Sequence, residues 1–181
     1  ASTGVVTAVA AGTATITATA NDGSDKTATC SVTVYPAGTI VWDSSNCSSL
    51  SIHGGDSYSD NTTIADINLK CNASQVDAMW YSYEGGIKFS ANATGGYTFT
   101  APAGKKFTKI EMIAKGSSDW DDAIIQGKLG TGWPSGNVAA MAFQSSKKIT
   151  WTGYASTVDL LTGANNFYGS PITSIAFFVS E

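Results

Sequence analysis

Aromatic rings are the groups in this chain most able to do chemistry: five tryptophans and seven tyrosines stand beside one histidine. The C–H faces of a sugar pack on such rings, while Asp, Asn and Gln bind its hydroxyls, so exposed aromatics would form a carbohydrate platform. Trp80, Tyr81 and Tyr83 crowd into one loop-like segment. Trp120 and Trp133 flank a Gly-rich interval, and Tyr168 stands near Asn165 and Asn166. These six are the candidate ligand-binding residues. Trp120 and Trp133 have a second reading, because loop tryptophans also staple loops to the body of a protein. Trp42 and Trp151, with Phe99, Phe107 and Phe177, fall in strand-like runs and read as core.

Asp119, Asp121 and Asp122 surround Trp120 and could supply oxygen ligands to a structural calcium; Asp56 and Asp60 form a second acidic loop. The spacing does not match an EF-hand, and aspartates in loops also serve as turn residues. No other cofactor is expected. Among the acids, Glu84 lies next to aromatics and is the one to test for glycosidase chemistry, which needs a second carboxylate across a cleft. Glu111 alternates with Lys109 and reads as a solvated strand face. His53 lacks a nucleophile motif, and no hydrolase, metalloprotease or phosphate-loop pattern occurs. A non-catalytic protein is therefore expected. Of the three cysteines, Cys30 reads as a small buried hydrophobe with a free thiol, and Cys47 with Cys71 as a candidate disulfide pinning a Ser-rich loop to a sheet.

All ten basic residues are lysines and the net charge is −4. Without arginine the bidentate clamps that favour phosphate are missing, so no nucleic-acid partner is expected. No apolar run is long enough to cross a bilayer, which argues against membrane insertion. A start at Ala1 reads as a mature or trimmed piece of a longer chain.

The elements that must position these residues are strands. Thr13, Thr15, Thr17 and Thr19 alternate with Ala14, Ile16, Ala18 and Ala20, and Thr27, Thr29, Ser31 and Thr33 repeat the pattern against Ala28, Cys30, Val32 and Val34. Asn21, Asp22, Gly23, Ser24 and Asp25 tolerate positive φ, so the two runs predict an antiparallel hairpin. Residues 4–35 resemble the C-terminal half of a bacterial immunoglobulin-like domain of group 2. That resemblance implies a module of a surface or secreted protein, but names no ligand. Two or three strands are marginal alone, so residues 1–38 are expected to lean on the remaining chain or to complete a sheet with another copy, a route to a homo-oligomer.

Pro36 and Gly38 mark a boundary, and residues 39–181 predict a second unit. Short β-like runs recur there at 64–71, 86–91, 97–101, 107–114, 148–152, 157–161 and 172–179, divided by turn clusters, with 116–144 read as long loops holding one short strand. The fold class expected is all-β: a partial immunoglobulin-like sheet plus an antiparallel, jelly-roll-like β-sandwich. Residues 97–110, 151–158 and 172–179 are similar to repeats in large secreted proteins of gut bacteria. Together the resemblances imply an extracellular or cell-surface module whose partner is a polysaccharide or a surface glycoprotein, or else a structural spacer.

Overall fold

The computed structural model describes residues 5–53, 60–72, 77–83, 85–89, 96–114, 124–125, 141–142, 148–161 and 171–181. The chain divides into two compact units, Ala1–Thr39 and Ile40–Glu181. The first is a hairpin of β1 (Gly12–Thr19) and β2 (Thr27–Val34), paired in register from Gly12 with Val34 to Thr19 with Thr27. Hydroxyls line one side, where Thr13 and Thr33 meet at 3.3 Å. In the connecting loop the Asp22 carboxylate accepts the Ser24 N–H at 3.0 Å, and Gly23 and Asp25 take positive φ. Cys30 is exposed, contrary to the expectation of burial. Alternation chooses a side chain's face, but a two-stranded ribbon has no second layer of its own to cover that face.

The second unit is built wholly of antiparallel sheets, with no helix among the described residues. Its strands are β3 (Ile40–Trp42), β4 (Ser51–His53), β5 (Asn61–Ile64), β6 (Ile67–Cys71), β7 (Asp77–Tyr81), β8 (Gly86–Phe89), β9 (Gly96–Thr100), β10 (Lys106–Ala114), β11 (Ile124–Ile125), β12 (Met141–Ala142), β13 (Lys148–Ala155), β14 (Thr157–Leu161) and β15 (Ile172–Ser180). Seven strands form the larger sheet, in the order β13-β10-β15-β8-β7-β4 with β3 also on β15. Four form the smaller, in the order β14-β9-β6-β5, and β11 pairs with β12 apart from both. The chain passes from β13 to β14 through Ser156 alone, so it leaves one sheet and enters the other at a corner that the Ala101 N–H closes by bonding the Ser156 carbonyl at 2.9 Å.

Period-two alternation turns one face of each sheet inward, and the two faces share a single core. Ile67, Leu69 and Cys71 of β6 and Tyr97 and Phe99 of β9 meet Phe89, Trp42 and Phe177 from the larger sheet. Trp42, Trp151, Phe99, Phe107 and Phe177 are all buried, as their strand-like settings imply. The run 64–71, read as one strand, is instead the end of β5, a two-residue turn and β6. Ala65 and Asp66 both take positive φ, at 46° and 68°, the geometry that matches the twist of a tight hairpin. No glycine announces that turn.

Cys47 and Cys71 are free thiols here, in place of the expected bridge, and both are fully buried. Cys47 closes a turn whose N–H bonds the Asp43 carbonyl, and its Sγ donates to the Asn46 side-chain oxygen at 3.2 Å. Cys71 is the third inward position of β6. Burial, with Asp43 nearby, pushes the Cys47 thiol up to about 12; burial, with Asp77 and Asp60, pushes Cys71 up to about 11. Both therefore stay protonated and unreactive at neutral pH. Titration of the folded protein with a thiol-specific disulfide reagent is expected to detect Cys30 alone, and all three cysteines after unfolding in denaturant. One thiol in both states would show instead that Cys47 and Cys71 are bonded.

Candidate ligand-binding site

Strands β7 and β8 form a hairpin that pairs Ala78 with Phe89, Met79 with Lys88, Trp80 with Ile87 and Tyr81 with Gly86. Trp80 and Tyr81 thus belong to a strand, not to the loop that the density of aromatics suggested. Alternation then separates them. Trp80 shares the inward side with Ile87, where its ring is partly buried against the core, and its backbone N–H donates to the Leu50 carbonyl at 2.8 Å. Tyr81 takes the outward side, 37% exposed, with the Lys88 ammonium 4.6 Å from its ring centre.

Tyr83 sits on the turn between the strands and is 97% exposed. The turn closes through the Gly85 N–H, which bonds the Tyr81 carbonyl at 2.7 Å, with Gly85 at φ 69°. That conformation suits glycine, because a Cβ would crowd the following carbonyl. Two phenol rings, one fully open and one backed by an ammonium, therefore stand at one end of the larger sheet. Chemically this is an amphipathic surface, with apolar ring faces for C–H contacts and hydroxyl tips for hydrogen bonds.

The outward face of the smaller sheet is different. There the Asn72 amide donates to the Thr98 hydroxyl at 2.7 Å, and that hydroxyl donates to Asp159 at 2.6 Å. Asn68 likewise donates to Asn61 and to Thr63. These polar groups satisfy one another along the ladder, which ties the strands together.

Of the remaining sequence candidates, Trp120, Trp133, Tyr168, Asp119, Asp121 and Asp122 lie outside the described residues, as does Glu84. Among the described residues no group of three His, Cys, Asp or Glu side chains stands together as a metal site. Glu111 is not the solvated carboxylate that its alternation with Lys109 implied. Its side chain is only 12% exposed, and its carboxylate bridges Lys148 at 2.8 Å and Lys109 at 3.3 Å. Burial works against the charge, but hydrogen bonds from both lysines outweigh it, so the carboxyl lies below its ordinary range.

Three lysine–aromatic contacts escaped the sequence: Lys88 on Tyr81, Lys106 on Tyr154 and Lys109 on Phe178. Each joins residues of two different strands, so no local spacing marks them. Comparison with protein families, curated proteins and solved structures finds no match to this chain.

Proposed function

We propose that this chain is a non-catalytic extracellular module of a bacterial surface or secreted protein, serving adhesion or carbohydrate binding. The observation that supports it best is Tyr83, a large ring left 97% exposed at the tip of the β7–β8 turn beside the outward Tyr81. A ring in that position stacks on a sugar without prior rearrangement of the sheet. Binding through it is weak per site and gains from repetition along a polysaccharide or a surface glycoprotein. The resemblance of residues 4–35 to a group 2 immunoglobulin-like domain supports the extracellular placement. In this reading the apolar side of the β1–β2 hairpin is the surface through which copies associate, and Asp119, Asp121 and Asp122 are ligands of a structural calcium.

The spacer reading has one observation in its favour: Trp80, a leading stacking candidate, packs on the core. A glycan-array screen of the whole chain separates the two. Tyr83→Ala and Tyr81→Ala are each expected to weaken array binding about three- to tenfold, the worth of one aromatic contact. Trp120→Ala and Trp133→Ala, run beside them with calcium and with chelator, test the other candidates. A blank array, or binding indifferent to all four substitutions, would favour the spacer.

A further inference from the structure

We propose that the outer face of the larger sheet, where β13, β10 and β15 run side by side, binds an anionic polysaccharide of the uronic acid type. This surface is separate from the β7–β8 turn and stands or falls without it. Pairing of Lys109 with both Thr152 and Phe178 puts all three on one side of the sheet, opposite the buried Ile110, Trp151 and Phe177. Lys148 and Thr150 alternate onto the same side of β13. Beyond a register shift that follows Thr152, Ala155 pairs with buried Phe107 and packs on the core, so its neighbour Tyr154 faces outward as well. The face therefore collects lysines, hydroxyls and two aromatic rings from three strands.

The geometry of the rings makes this more than a basic patch. The Lys106 ammonium lies 4.4 Å from the centre of the Tyr154 ring, which is 58% exposed, and the Lys109 ammonium lies 3.7 Å from that of Phe178. Each cation is held against a π-face, which orients it and removes part of its water. No carboxylate closes on Lys106 among the described residues. Its N–H donors are thus available to an incoming acid. A uronate carries its carboxylate one bond off the pyranose ring, so one residue can place the carboxylate on Lys106 while its C–H face lies on Tyr154. Thr152, exposed and paired with Lys109, supplies a hydroxyl on that side, and exposed Thr150 supplies another farther along β13.

Charge complementarity selects the occupant. Three positive charges, Lys106, Lys109 and Lys148, face two acids, Glu111 and Glu181, on a protein whose total is −4. Glu181 enters the count because its carbonyl accepts the Tyr154 hydroxyl at 2.8 Å. A local excess of this kind is felt over roughly 8 Å at physiological salt, so the acidic remainder does not cancel it. Lysine offers point charges in place of forked pairs, which suits single carboxylates spaced along a sugar chain better than phosphodiesters.

The test is calorimetric titration of the whole chain with polygalacturonate oligomers, and with neutral galactan oligomers of equal length, at low and at physiological salt. The acidic oligomers should bind at least tenfold more tightly than the neutral ones, with affinity falling as salt rises. Lys106→Gln with Lys109→Gln should weaken binding about tenfold, and Tyr154→Ala three- to tenfold, while Tyr154→Phe retains it. Glu181→Gln should tighten binding, and Tyr83→Ala should leave it unchanged. Should the double lysine variant fail to fold, the single change at exposed Lys106 decides. Equal binding of galactan, or unchanged binding in the lysine variants, overturns the proposal, as does no polygalacturonate binding at low salt. Equal binding of a thymidylate oligomer of the same charge also overturns it, since the surface would then read charge and not sugar.

Discussion

Replacing Trp42 by alanine is expected to lower the stability of the second unit by about 3–5 kcal/mol, the range found for large aromatic-to-alanine changes in cores. Trp42 is completely buried and joins the two sheets from the short strand β3. Its ring meets Phe99 of the smaller sheet edge-on at 5.8 Å and Phe177 of the larger at 5.3 Å. Its Nε1–H donates to the Ile64 carbonyl at 2.9 Å, at the point where β5 turns into β6. Alanine would leave a cavity between the sheets and remove the donor from a half-buried carbonyl. Trp42→Phe separates these effects: it keeps much of the apolar volume, and losing the hydrogen bond should cost about 1–2 kcal/mol. Urea unfolding followed by far-ultraviolet circular dichroism measures both. A loss below 1 kcal/mol for the alanine variant would mean that the sheets close over the gap and that Trp42 is not what spaces them.

The second large effect is expected at Gly86, the residue that follows the turn bearing Tyr83. A Cβ built there would lie 2.7 Å from the Pro171 Cβ and 2.9 Å from the Ile172 carbonyl oxygen. Neither neighbour can swing away, because one is on a ring and the other is backbone. Gly86→Ala must therefore push β8 off the start of β15, where Ile87 pairs with Ile172, at a cost of about 1–3 kcal/mol. Gly85→Ala is the informative contrast. Nothing lies within 4 Å of its added Cβ, but φ is +69°, so the cost of about 1 kcal/mol is conformational. Gly85→Asn should recover most of that loss, since asparagine tolerates the left-handed region, whereas no side chain rescues Gly86. Chemical denaturation of the three variants tests this. Equal losses for both alanine variants would show that backbone conformation, and not the strand contact, sets the value of each glycine.

What could be read from the chain alone was whatever depends on neighbours in sequence. Two-residue alternation foretold the β1–β2 hairpin, the all-β class and the burial of Trp42, Trp151, Phe99, Phe107 and Phe177, because a strand's side chains point to alternate faces whatever it pairs with. The signal failed where conformation departed from its usual residue types. Ala65 and Asp66 turn back with positive φ and no glycine, so two strands looked like one. It failed also where aromatic density hid alternation: Trp80 and Tyr81 looked like a loop pair, yet they point to opposite sides of β7.

Burial and assembly were settled only in three dimensions. Whether an apolar position is covered depends on a second layer, which a two-stranded ribbon lacks of itself; hence Cys30 is exposed while Cys47 and Cys71 are sealed in the sandwich. Lys106, Lys109, Tyr154 and Phe178 carry no common motif, and in sequence they are two strand lysines and two distant rings. They become one surface because β10 pairs with β13 on one side and with β15 on the other, a long-range choice made by the fit of the core beneath them.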